Sequence, residues 1–155
     1  MPDEVSEQIT VGVAPADVYR AVCDVRRMTR WSPECFATLV WSRSSGVPAR
    51  FVGFNRRGPW LWFTTCRVVT ARPGEEFAFE VTSFGLPVAR WSYTLTGVAG
   101  GTEVTEHWLD QRSRGASVLG RIFTGKASGN RPAVNRDGMR TTLARLKREL
   151  ESAKS

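Results

Sequence analysis

Between Cys35 and Asp110 the chain passes through six runs of β-branched and aromatic residues, at about 35 to 44, 49 to 56, 60 to 71, 76 to 84, 88 to 97 and 102 to 110. The breaks are short and made of turn formers: Ser44-Ser45-Gly46, Arg57-Gly58-Pro59, Arg72-Pro73-Gly74, Gly85-Leu86-Pro87 and Gly100-Gly101. Connections this short join neighbours in an antiparallel meander, so the middle of the chain reads as one continuous sheet.

The flanks complete the pattern. Val5, Glu7, Ile9, Val11 and Val13 alternate with polar or small residues over 4 to 13, the period of a half-buried strand. Ala14-Pro15-Ala16-Asp17 then opens a short helix, with proline in its first turn, an acid favourable to the N-terminal dipole, and Val18, Val22 and Val25 on one side. Trp31-Ser32-Pro33 closes that helical region. At the other end Met139, Leu143, Leu146 and Leu150 follow steps of four, three and four, one apolar stripe on a helix capped by Asn130 and running to about Ala153. Residues 111 to 131, with four glycines, are expected to form a mobile lid or crossing loop.

Composition narrows the function classes. A chain of 155 residues suits a single domain over 1 to 155. Three widely spaced cysteines and one histidine offer neither a disulfide framework nor a zinc site, and Cys23 and Cys66 read as small core residues. The longest apolar cluster, Trp60 to Phe63, is far short of a membrane span. The acidic, polar start lacks a secretory signal's apolar stretch, so a cytoplasmic location is expected. The +7 charge is concentrated late: residues 112 to 155 hold 11 Lys or Arg against 3 acids. That bias reads either as a solvated basic helix face or as an attraction for an acidic carrier protein, an anionic membrane or nucleic acid. Nucleic acid is the weakest of these, because surface aromatics at stacking intervals are missing. There is no GxGxxG, P-loop, HExxH or GxSxG motif, and no cofactor or metal is expected.

Three stretches carry a family likeness: Ala14 to Tyr19 leading to Arg30-Trp31-Ser32-Pro33; Arg72-Pro73-Gly74-Glu75; and Gly100 to Thr105 ahead of a helix ending Leu143-Ala144-Arg145-Leu146-Lys147. With the order of elements, they make the chain resemble the START-like, or SRPBCC, superfamily in its polyketide cyclase/dehydrase branch. The resemblance implies an α+β helix-grip fold (START/Bet v 1-like): a seven-stranded curved antiparallel sheet around a long C-terminal helix, with one or two short helices after strand 1. It also implies a cavity for lipids, polyketides or similar apolar molecules. One helix cannot fill a strongly curved sheet along its length, so a hollow remains unless large side chains close it.

Alternation suggests what lines that hollow: Phe77, Phe79, Val81 and Ser83; Trp91, Tyr93 and Leu95; Val104, Glu106 and Trp108. In strand 60 to 71, Trp60, Trp62, Thr64, Cys66 and Val68 compete with Leu61, Phe63, Thr65, Arg67 and Val69 for the inward face. Glu106 stands out, since a carboxylate on an apolar face must be paired, protonated or wet. It either handles a ligand or pairs with Arg50, Arg67 or Arg90. His107 points the other way. The expected ligand-binding set is Trp31, Trp62, Phe79, Trp91, Tyr93, Glu106, Trp108, Met139 and Leu143, and Asn55, Thr64 and Ser83 are further polar anchors. Three functional readings follow: binding of a hydrophobic small molecule; an aromatase/cyclase or dehydrase using Glu106, Tyr93 and Arg67; or a basic interaction module.

Overall fold

The structure, a computed structural model, describes residues 3–112 and 131–154. Strand β1 (Glu4–Val11) is followed by helix α1 (Pro15–Cys23), a 3-10 turn over Val25–Arg27 and the single-turn α2 (Met28–Trp31). Then come β2 (Cys35–Ser44), β3 (Val47–Arg57), β4 (Trp60–Arg72), β5 (Glu76–Ser83), β6 (Leu86–Val98), β7 (Gly101–Asp110) and the 24-residue helix α3 (Arg131–Lys154). The expected helix-grip architecture is present. The segment read as a lid lies, but for its first two and last residues, outside the described residues.

All seven strands form one antiparallel sheet in the order β1-β7-β6-β5-β4-β3-β2. The meander accounts for β2 to β7, and β1 closes the far edge by pairing with β7, Val5 opposite Trp108 and Val11 opposite Thr102. Register shifts in the β2–β3, β4–β5 and β5–β6 pairs bend the sheet, as bulges do. The β2–β3 turn is a tight two-residue turn with both residues in the left-handed region, Ser45 (φ 53°) and Gly46 (φ 78°). At the β6–β7 turn, Gly101 passes so close to β1 that an added Cβ would lie 2.0 Å from the Val11 carbonyl oxygen. Only glycine fits there.

Helix α3 spans about 36 Å at the usual rise per residue. It lies along β1, whose exposed backbone edge it helps to cover. The Lys147 ammonium donates to the Thr10 carbonyl at 2.8 Å, and the Gly12 N–H donates to the Glu151 carboxylate at 2.7 Å. Arg136 and Arg140 pair with Glu7 at 2.9 and 3.1 Å. Leu143, Leu146 and Leu150 pack with Val11, Val18, Val22, Phe77 and Leu95 into a closed core. The stripe read from the sequence faces inward, as expected. Helix α1 adds Val18, Tyr19, Ala21 and Val22 to that core, with Pro15 in its first turn and Asp17 ion-paired to Arg20. Among the described residues no helix is long and apolar enough to cross a membrane.

Candidate functional site

The closed core occupies only one end of the grip. At the other end the sheet and α3 diverge around a cavity of about 540 Å³. Its walls are built by residues that alternate inward on the strands: Phe51 on β3; Trp62, Thr64 and Cys66 on β4; Phe79 and Val81 on β5; Trp91 and Tyr93 on β6; Glu106 and Trp108 on β7. The helix contributes Asn135, Gly138, Met139 and Thr142, spaced i, i+3, i+4 and i+7 so that they share one face. Six aromatic rings stand in the wall, with Phe51 and Phe79 edge to face at 5.3 Å.

Two rows of cross-strand neighbours organise this wall. In one, Val5, Trp108, Trp91 and Phe79 succeed each other from β1 to β5. In the next, Glu7, Glu106, Tyr93 and Phe77 do the same. Tyr93 and Glu106 are therefore direct partners, and the phenol donates a hydrogen bond to the carboxyl. Glu106 is 3% exposed, and its Oε1 has no hydrogen-bond partner among the described residues. Burial pushes this carboxyl up to about 8, against the smaller, opposing effect of the Tyr93 hydrogen bond. Burial, reinforced by the neighbouring carboxyl, likewise raises the Tyr93 phenol well above its ordinary value. At neutral pH the pair is a carboxylic acid beside a phenol. One carboxyl oxygen is left to meet whatever enters, and the acid proton makes the group a donor as well as an acceptor.

A second polar group lies on β3 and β4. The Asn55 amide donates to the Gly53 carbonyl at 3.3 Å and to Thr64 Oγ1 at 3.5 Å. The mouth is rimmed by Pro33, Glu34, Arg57, Arg112, Val134 and Asp137. Arg57 approaches Glu34 at 4.0 Å, and Arg112 grips Asp110 through two bonds of 3.0 Å.

Of the residues singled out from the sequence, Trp62, Phe79, Trp91, Tyr93, Glu106, Trp108 and Met139 line the cavity, as do Asn55 and Thr64. Others do not. Trp31 is buried in the core at the end of α2, with the Arg27 guanidinium 5.5 Å from its ring centre, and Leu143, Phe77, Leu95 and Val104 belong to the closed end. Arg67 needs the clearest correction. β4 turns Trp62, Thr64 and Cys66 inward, so Arg67 points to the outer face, where it pairs with Glu80 at 2.8 Å. Arg50 lies opposite Arg67 and Arg90 opposite Glu80 on that same outer face, so the partner of Glu106 is Tyr93 and no arginine. Ser83 lies outside the lining, and His107 faces away, its Nδ1 2.7 Å from Ser6 Oγ.

Sequence reasoning missed Phe51, the helix contribution of Asn135 and Thr142, both buried, and the thiol of Cys35. The i, i+7 spacing of Asn135 and Thr142 was a usable signal. Cys35 carried none, and burial raises the Cys35 and Cys66 thiols to about 11 and about 12, so neither is a ready nucleophile. Among the described residues no cluster of His, Cys, Asp or Glu is arranged to hold a metal ion.

Comparison with known proteins fits this architecture. Residues 2–151 match the family model described as polyketide cyclase / dehydrase and lipid transport. A polyketide-cyclase-like protein from Corynebacterium glutamicum shares 26% identity over 100% of this chain and 95% of its own, with a TM-score of 0.66. An aromatase/cyclase from Streptomyces sp. R1128 superposes with a TM-score of 0.80 at 13% identity, covering 100% and 97% of the two chains. A START superfamily protein from Mycobacterium smegmatis does so at 0.75 and 10% identity, covering 97% and 98%. The last two likenesses speak for the fold alone. No curated protein sequence matches.

Proposed function

The chain belongs to the polyketide cyclase / dehydrase and lipid transport family, and from that premise we propose that it binds an uncharged, largely apolar small molecule in the cavity between its sheet and α3. The observation that carries this reading is the composition of the wall. Trp62, Trp91, Trp108, Phe51 and Phe79 supply apolar surface, interrupted by one buried acid with an unpartnered oxygen. Burial of ligand surface supplies affinity, at roughly 25 cal/mol per Å² before ordering costs, and Glu106 with Tyr93 supplies orientation. A neutral carboxylic acid donates to a ligand carbonyl or hydroxyl, whereas a ligand carboxylate would bring an unpaired charge into an apolar hollow. Lipids, polyketides and aromatic metabolites with a carbonyl or hydroxyl meet these requirements.

Native mass spectrometry of the purified protein, with displacement of a fluorescent apolar probe by neutral and by carboxylate-bearing competitors, tests the reading. Neutral competitors should displace the probe, and replacing Trp91 or Trp108 by alanine should weaken it. A protein that takes up no apolar probe refutes it.

A second reading, turnover of a polyketide chain by an acid or base in the cavity, is favoured by one feature. The Glu106 carboxyl, at about 8, is poised to exchange a proton near neutral pH. Of the three groups first nominated for such chemistry, Glu106 and Tyr93 support it and Arg67, on the outer face, does not. Identical product profiles from a minimal polyketide synthase with and without the protein would remove this reading.

A further inference from the structure

The cavity mouth lies at the end of the sheet where the β3–β4 and β5–β6 hairpins turn, and these two tips are unusually apolar for protein that faces water. Leu61 and Phe84 are 63% and 61% exposed, and Trp60, Phe63 and Leu86 are exposed beside them. The tips touch each other through Phe63 and Phe84, whose ring centres are 5.6 Å apart. They form one patch, larger than the scattered exposed residues of an ordinary surface. Phe84 is held at φ 52°, a left-handed conformation that a bulky side chain adopts at a cost. Asparagine or glycine would suit that turn position better, so folding does not explain the phenylalanine.

Charge says what covers the patch. Residues 55 to 63 and 82 to 87 contain Arg56 and Arg57 and no acid; Arg57 approaches Glu34 at 4.0 Å, whereas Arg56 is exposed and donates to the Gly58 carbonyl of its own turn. Arg56 stands on β3 directly across from Leu61. A second copy of the chain related by a two-fold axis would bring Arg56 against its own equivalent across tips that carry no acid of their own. An anionic bilayer answers both features: aromatic and aliphatic side chains enter the headgroup boundary, and guanidinium groups meet phosphates.

We infer that the paired tips of the β3–β4 and β5–β6 hairpins are a docking surface for an anionic lipid bilayer, seating the cavity mouth against the membrane. The patch is continuous with the mouth, since Arg57 and Trp62 of the same hairpin line the cavity. An apolar molecule would then pass between bilayer and cavity without crossing open water. This goes beyond the binding reading and does not depend on it, because the tips would dock whether or not the cavity is filled.

The test is co-sedimentation of the full chain with vesicles of phosphatidylcholine alone and of phosphatidylcholine with phosphatidylglycerol. Phe84→Asn is the informative variant, since it removes the ring while suiting the left-handed turn, and Leu61→Ser and Arg56→Glu complete the set. Wild type should sediment with the phosphatidylglycerol vesicles and release as salt rises. The Phe84→Asn, Leu61→Ser double variant and Arg56→Glu should each bind roughly tenfold more weakly. Thermal stability and apolar-probe uptake should persist in Phe84→Asn. Failure of the wild type to sediment, or equal sedimentation of wild type and variants, overturns the inference. So does a dimer in solution that the double variant dissociates, or retention on nucleic acid with none on vesicles.

Discussion

Glu7 and Glu106 stand directly opposite each other on β1 and β7, on the same face of the sheet, in environments that treat a carboxylate in opposite ways. Glu7 is gripped by Arg136 and Arg140 of α3. Glu106, one strand further in, meets a single phenol and no cation, and burial holds its proton on. Two guanidinium groups answer the charge of Glu7, so like-charge repulsion across the ladder is blunted and desolvation decides the state of Glu106.

A pH-dependent stability follows. The folded-state value of Glu106, about 8, lies above its ordinary 4.5, so between those values the folded state holds a proton that the unfolded state has released. The contribution is fully present below 4.5 and is lost progressively as pH rises through about 8. Melting temperature measured across this window should fall for the wild type. In Glu106→Gln, which keeps the shape and cannot ionise, that decline should be removed.

Tyr93→Phe deletes the one bond that opposes desolvation of Glu106. The carboxyl should titrate still higher, moving the decline to higher pH, and stability at low pH should drop by about 1 kcal/mol for the lost hydrogen bond. Infrared observation of the protonated carboxyl stretch against pH reads the first effect and denaturant titration the second.

Gly101→Ala should destabilise by about 1–3 kcal/mol or more, because the new Cβ would meet the Val11 carbonyl oxygen at 2.0 Å and push β1 off β7. Gly58→Ala, at a turn with open space around it, isolates the cost of a left-handed backbone (φ 57°) and should be milder. Chemical denaturation of the two variants compares them.

Leu146→Ala should cost about 2–5 kcal/mol, since Leu146 is fully buried in the closed end. Arg67→Ala should change stability by at most about 1 kcal/mol and leave apolar-probe binding as it was, because its ion pair with Glu80 is exposed on the far side of the sheet. Calorimetry and probe titration on both variants check this.

Much of this arrangement was legible in the chain, and the exceptions have physical causes. Short turns dictate a meander, and the Met139, Leu143, Leu146, Leu150 stripe requires a helix with one buried side, so the fold could be read directly. Parity on β5, β6 and β7 was also readable, because each alternates apolar with polar residues. On β4 it was not, since both faces carry aromatic and small residues; the outer face belongs to the exposed hairpin patch. That ambiguity is what admitted Arg67 to the candidate site. Trp31 and Leu143 went astray for another reason. Periodicity tells which side of an element is buried, but not whether a buried side chain meets protein or a hollow further along the same axis.

The separation of a solid end from a hollow end along α3 bears on how such a chain can diversify. Leu146, Leu150 and Val18 hold the fold and none of them lines the cavity, so Trp62 and Trp108, which do, are freer to be exchanged for residues of other sizes. New guests are therefore most accessible through the mouth half, with the anchoring half left as it is.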